Sequence, residues 1–220
     1  NYNETWGKHN LDVMLGYSWQ WFYQFDRDLS YSNQTGERNP KSEGLKYQEE
    51  SYLVSFYGRI NYSFDSRYLF TVSLRADGSS KFAKDNRWGY FPAAAFAWNI
   101  KNEQFLKDVD AVSALKLRLS YGQTGQQDIP NYQFLARYAE NNNTSDKINM
   151  GGTLGWMDYY TPLVYDETIK WETTTTYNIG VDFGFLDGLI DGSLDVYRRD
   201  TKDLLNKVTT PMGIYYGNLV

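Results

Sequence analysis

Residues 52–77 read YLVSFYGRINYSF (52–64), DSR (65–67) and YLFTVSLRAD (68–77), and their alternation decides the fold class. Tyr52, Val54, Phe56, Gly58, Ile60, Tyr62 and Phe64 fall on one parity, against Ser51, Leu53, Ser55, Tyr57, Arg59, Asn61 and Ser63 on the other. After Asp65-Ser66-Arg67 the pattern restarts, with Tyr68, Phe70, Val72, Leu74 and Ala76 against Leu69, Thr71, Ser73, Arg75 and Asp77. A period of two puts successive side chains on opposite faces of a strand. These runs exceed the about 5–6 residues usual in soluble domains and reach the about 9–11 of a tilted membrane-spanning strand. One uncharged face and one polar face complete the expectation of a transmembrane β-barrel wall.

Outward from this hairpin the same period predicts strands at 10–24, 88–100, 115–122, 171–185 and 190–199, making about seven antiparallel strands in all. In 10–24, Leu11, Val13, Leu15, Tyr17, Trp19, Trp21 and Tyr23 share a face, with the aromatics gathered at one end as in an interfacial belt. Trp171 opens the apolar parity of 171–185, and Pro92 marks a place in 88–100 where the ladder weakens or bulges. Asp187-Gly188 is a two-residue hairpin signal. The connections at 25–50 and 123–169 are long, polar and irregular, while those at Asp65 and Asp187 are short. Barrels of the outer membrane alternate short and long connections in this way. The apolar parities carry no charge within the strands. Asp12, Arg59, Arg75, Asp77, Lys116, Arg118, Glu172, Asp182, Asp191 and Asp195 all fall on the opposite ones. Seven strands leave two open edges, so the expected fold is an arc of something larger.

Composition agrees. The 220 residues are 41% hydrophobic and hold no run near the about 18 apolar residues of a spanning helix. A net charge of -5 excludes a phosphate-binding, nucleic-acid surface, and the lack of cysteine excludes a disulfide scaffold and thiolate metal sites. The 20 Tyr, 7 Trp and 12 Phe suit aromatic girdles or a carbohydrate- or peptide-binding surface. The chain begins at Asn1 with no signal-peptide pattern, so the expectation is that the start of the polypeptide lies elsewhere.

Residues 75–82 (RADGSSKF), 87–92 (RWGYFP) and Ala97-Trp98 resemble the SusC/RagA family of TonB-dependent outer-membrane transporters. Further matches run in the family's order: 115–118 (LKLR), 121–125 (YGQTG), 171–174 (WETT), 178–182 (NIGVD), Tyr197 and 201–205 (TKDLL). Gln126 stands where the family usually has Asn and Ala93 where Ser is common; both are small changes within a long match. The resemblance implies a barrel of about 22 strands around an N-terminal plug, in the outer membrane of a Gram-negative bacterium of the Bacteroidota. It implies import of glycans or peptides energised through TonB, a SusD-like surface lipoprotein as partner, no enzymatic activity and no cofactor. On that view residues 1–220 are a partial barrel domain, with the plug and the C-terminal strands outside it. A soluble carbohydrate-binding β-sandwich and a passive porin are the alternative readings.

The single histidine, His9, has no cysteine or second histidine to form a zinc or catalytic site with. Glu49-Glu50 and Asp108/Asp110 read as solvated loop charges, and 121–125 lacks the Lys-Ser/Thr of a phosphate loop. Trp156, Tyr159 and Tyr160, in the longest loop, are the candidate contacts to solute or partner. Arg75, Asp77, Arg87, Trp88 and Gly89 read as framework of the wall.

Overall fold

The computed structural model describes residues 1–27, 31–37, 45–141, 148–149, 156–157, 159–209 and 218–219. The strands are β1 (Tyr2–Trp6), β2 (His9–Arg27), β3 (Leu45–Phe64), β4 (Tyr68–Ser79), β5 (Trp88–Asn99) and β6 (Val112–Gln126). One α-helical turn among the described residues, α1 (Gln104–Lys107), precedes β6. Four short strands follow: β7 (Tyr138–Asn141), β8 (Ile148–Asn149), β9 (Trp156–Met157) and β10 (Tyr159–Pro162). Then come β11 (Glu172–Phe185), β12 (Ile190–Lys202), β13 (Val208–Thr209) and β14 (Asn218–Leu219). Eight of them form one antiparallel sheet in the order β1-β2-β3-β4-β5-β6-β11-β12, so every neighbour in the sheet is the next long strand in the chain. Contacts are therefore made hairpin by hairpin, as an up-and-down wall requires.

Register carries the parity of the sequence across the whole sheet. Leu11, Tyr62, Phe70, Phe96, Leu119, Ile179 and Val196 lie in one cross-strand row. The adjacent row on the other face is Asp12, Asn61, Thr71, Ala95, Ser120, Asn178 and Tyr197. No second layer covers the apolar face among the described residues: Leu15 is 79% exposed and Val196 68%. A water-soluble sandwich would bury that face against a partner sheet, so the sandwich reading fails on this sheet. Apolar side chains left uncovered over eight strands are what a lipid-facing wall presents.

Several expectations need correction. Tyr2–Trp6 adds an eighth strand, turned at Gly7, whose φ of +58 suits a two-residue hairpin. Glu4, opposite Leu11, breaks its apolar parity and hid it. β2 and β3 run 19 and 20 residues and continue paired into what reads as loop. Their outer stretches meet water on both faces, so the ladder persists where the hydrophobic period stops. Pro92 causes no bulge. It pairs with Leu74 in β4 and lies one residue beyond Ala93, where the ladder to β6 ends, so its missing N–H interrupts nothing. The β11–β12 connection is not a two-residue turn. The closing pair is Phe185 with Ile190, and Leu186, Asp187 and Gly188 all have positive φ. Trp171 precedes β11 and turns inward, 7% exposed, instead of joining the lipid face. Finally, Arg198 and Asp200 share the outer parity of β12, opposite Tyr177 and Thr175. They pair with each other (3.0 Å).

Candidate functional site

The two ends of the wall differ in chemistry. At the short-turn end, Glu103 draws three elements together. Its Oε1 accepts from the Tyr68 hydroxyl (2.7 Å) and the Trp98 indole (3.0 Å), and its Oε2 from Arg67 (3.0 Å). Arg67 also pairs with Asp65 (2.9 Å), which takes Lys8 (2.9 Å) from the neighbouring turn. These donors hold the Glu103 carboxyl below its ordinary value, Tyr68 contributing most and Trp98 next. Lys8 does the same for Asp65. No sequence pattern singles out Glu103, the residue before α1; its role depends on where β4 and β5 deliver Tyr68 and Trp98. His9 lies at the same end, with Nδ1 2.7 Å from the Tyr62 hydroxyl and its ring stacked on Trp6. It belongs to an aromatic belt.

The inner wall is polar and cross-braced. Arg118 on β6 donates to Asp182 on β11 (2.8 and 3.0 Å) and to Asp195 on β12 (3.0 Å), tying three strands. Its guanidinium passes over Gly180, where a Cβ would collide with Arg118 and Asp195. On β3 and β4, Arg75 Nε donates to Asp77 (2.7 Å), Arg75 donates through a terminal nitrogen to buried Ser55 (2.9 Å), and its guanidinium lies over the Tyr57 ring.

At the long-loop end the connections fold back over this inner face. Phe82, Phe91, Ile129, Ile169 and Trp171 form a buried apolar cluster, flanked by Leu53 and Leu205. Trp171 lies 5.2 Å from the Phe82 ring and 5.4 Å from Phe91, and its indole donates to the Arg87 carbonyl (2.9 Å). Phe91 lies over Gly89 and Gly125; a Cβ on Gly125 would fall inside its ring. The chain leaving β6 is pinned by Lys81 to the Ile129 carbonyl (2.9 Å), by Asn131 to Glu49 (3.0 Å) and by the Tyr132 hydroxyl to the Glu50 carbonyl (3.1 Å). Glu49 and Glu50 are thus on β3 and engaged, contrary to the loop reading. Asp108 and Asp110 are exposed.

The framework residues lie within this region but do not form one cluster. Arg75 and Asp77 pair on the inner wall; Arg87 Nε donates to the Phe82 carbonyl (3.3 Å); Gly89 is buried beneath Phe91 and Trp171. Trp88 lies on the outer face, stacked on Phe56 at 6.2 Å and against Gly78. The loop candidates sit on the short strands: Trp156 on β9, and Tyr159 and Tyr160 on β10, which pairs with β7. Tyr160 is 66% exposed, while the side chains of Trp156 and Tyr159 lie outside the described residues. Among the described residues no group of three or more His, Asp or Glu is placed to hold a metal.

The family described as "TonB dependent receptor-like, beta-barrel" matches residues 1–219. The chain is 44% identical to TonB-dependent receptor SusC of Bacteroides thetaiotaomicron, over 96% of this chain and 21% of that protein. It is 36% identical to TonB-dependent receptor P3 of Formosa agariphila, over 93% of this chain and 21% of that protein. Among solved structures, the RagAB peptide transporter superposes with a TM-score of 0.77 at 26% identity, covering 97% of this chain and 24% of that one. The siderophore receptor PirA from Acinetobacter baumannii shares the fold alone, at 17% identity and a TM-score of 0.57. The chain therefore spans about a fifth of the length of the curated relatives it matches. With the motifs of β4–β6 and β11–β12, the open eight-stranded arc and these matches in agreement, this chain belongs to the TonB-dependent receptor-like β-barrel family.

Proposed function

We propose that residues 1–220 form a section of the barrel wall of an outer-membrane, TonB-dependent active transporter that imports glycans or peptides and works with a SusD-like surface lipoprotein. The observation that carries this reading is the 44% identity to SusC across 96% of the chain, joined to an arc whose β1 and β12 each have only one neighbour. Open strand edges, with their unpaired backbone N–H and C=O groups, are untenable in a bilayer unless further strands close the ring. The remaining strands and a lumen-filling plug belong to other parts of the polypeptide on this reading. The short turns face the periplasm and the long loops the outside. Arg75, Asp77, Arg87, Trp88 and Gly89 serve as framework. Trp156, Tyr159 and Tyr160, on the outward loops, meet solute or lipoprotein. The role is transport and not catalysis.

The test uses cells expressing the complete receptor. Solute uptake should stop when the proton-motive force is collapsed with an ionophore, and the lipoprotein should co-purify with the receptor. Uptake that continues without energy supports a passive porin and overturns the active-transport reading. Alanine at Trp156, Tyr159 and Tyr160 should weaken solute or lipoprotein binding; unchanged binding of both removes those three from the site.

A further inference from the structure

At the short-turn end lies a cavity of about 360 Å³ that neither the framework nor the loop residues line. Its lining is Lys8 from the β1–β2 turn, Asp65 and Arg67 from the β3–β4 turn, and Asn102, Gln104 and Lys107 from the connection to β6. Trp6, His9, Phe64, Tyr68 and Trp98 fill the last cross-strand row of the outer face at this end, each ring within 6.5 Å of the next. Lys8 and Arg67 are the sequence neighbours of His9 and Tyr68, and the Arg67 guanidinium lies 5.7 Å over the Tyr68 ring. The cavity therefore adjoins the aromatic row. Such rows of Trp and Tyr sit at the level of the lipid headgroups.

The charges of the cavity do not balance. Lys8, Arg67 and Lys107 line it with one carboxylate, Asp65. Counted with Glu103, which takes Arg67 from outside the lining, three cations meet two carboxylates and one positive charge is left over. Lys107 is that surplus, with no ion pair or side-chain hydrogen bond among the described residues. Lys8 gives one N–H to Asp65 while its side chain is 64% exposed, so its ammonium keeps donors for a ligand. Lys107 is exposed as well. Outside the lining, Lys101 is turned to the carbonyls of Leu106, Lys107 and Val109, and Asp108 and Asp110 are exposed to water.

Accessible ammonium groups at headgroup level match a phosphodiester, whose anionic oxygens take charge-assisted hydrogen bonds. The uncharged aromatic row beside them continues into the outer face of the wall and gives acyl chains a surface to lie on. A soluble anion has no use for that row. From the unbalanced cavity and the row adjoining it we infer that this site binds the headgroup phosphate of an anionic glycerophospholipid in the leaflet on the short-turn side, its acyl chains lying across Tyr68 and Trp98. The inference rests on the wall standing in a bilayer with its short turns at one surface, and not on what the transporter carries.

Native mass spectrometry of the purified complete receptor measures the lipid it retains. The probes are phosphatidylglycerol and phosphatidylcholine with the same acyl chains in equal amounts, with inorganic phosphate added as a competitor. The wild type should retain phosphatidylglycerol in preference. Lys8→Ala and Lys107→Ala should each lower that retention about fivefold, the contribution of one cation near a charged lipid surface. Lys8→Arg and Lys107→Arg keep the charge and should retain the lipid as the wild type does. Lys84→Ala, between β4 and β5 at the long-loop end, should change nothing. Heat-modifiable migration verifies that each variant has assembled, and Lys107→Ala breaks no side-chain bond among the described residues. Equal retention of the two lipids by the wild type, or wild-type retention in both alanine variants, overturns the site. A loss that arginine does not restore overturns a contact carried by charge. Displacement of the lipid by millimolar phosphate makes the ligand a soluble anion and overturns the lipid. Lipid retained by a receptor that shows no energised uptake overturns the transport reading and leaves this one standing.

Discussion

Replacing Trp171 with alanine should open the loop layer at the long-loop end while leaving the wall intact. Trp171 is 7% exposed, lies within 5.4 Å of two other rings, and donates its indole N–H to the Arg87 carbonyl. Truncating a buried aromatic to alanine costs about 3–5 kcal/mol, of which a hydrogen bond accounts for about 1 kcal/mol. Little of that loss falls on the strands, because the cluster joins connections to the inner face and leaves the β ladders untouched. The loss should therefore appear as local opening, raising the opening constant of the loop layer roughly 10²- to 5 × 10³-fold. Hydrogen exchange followed by mass spectrometry on the complete receptor reads this directly. Peptides covering 80–91 and 127–135 should lose protection while those from β2, β3 and β12 keep theirs. Trp171→Phe, which keeps a ring and loses the indole donor, should shift the same peptides by about tenfold or less. Wild-type protection at 127–135 in the alanine variant, or equal loosening of all the strands, would refute a local clasp built on Trp171.

Gly125→Ala should destabilise by about 1–3 kcal/mol, because its methyl occupies the Phe91 ring position. In a Phe91→Ala background the same change should be nearly neutral, and equal costs in both backgrounds would end the steric account. Val72→Arg, on the outer face at mid-strand, should cost about 2–4 kcal/mol and reduce assembly, scored as heat-modifiable migration on a gel, whereas its neighbour Ser73→Arg faces the lumen and should be tolerated. Similar assembly of both would contradict the assigned faces. Acid should loosen the short-turn end. Glu103 and Asp65 have lowered folded values, so their stabilising contribution is complete above the ordinary carboxylate range and lost as pH falls through the folded values. Thermal stability should be flat from neutral pH down to about pH 5 and decline below it. Glu103→Gln should flatten that decline, and superimposable acid profiles would rule out the carboxylate as its source.

Strand positions and faces were legible because a lipid-facing wall imposes the strictest alternation a strand can carry. Each residue of 52–64 and 68–77 has its face set by the solvent it meets, and the register confirms those assignments from β2 to β12. Legibility ended where both faces meet water. The outer ends of β2 and β3, and β1 with its Glu4, pair through backbone hydrogen bonds that are indifferent to side-chain polarity. Trp171 shows the other limit. Its parity matches Thr173 and Tyr177, yet the strand begins one residue later, and the indole leaves the lipid face for Phe82 and Phe91.

What the sequence by itself determined is therefore the wall: an antiparallel, membrane-facing arc, and through its motifs the receptor family. Alternation is a local property, and a few residues are enough to express it. What only the tertiary structure decided is how the wall is braced across its inner face and closed off at its two ends. Glu103 meets Tyr68 and Trp98, Arg118 spans Asp182 and Asp195, and Asn131 reaches Glu49 across 82 positions of chain. The cavity of Lys8, Arg67 and Lys107 likewise exists only once three connections have met at the short-turn end. Such contacts depend on the register of strands far apart in the chain, and no periodicity within one strand encodes them.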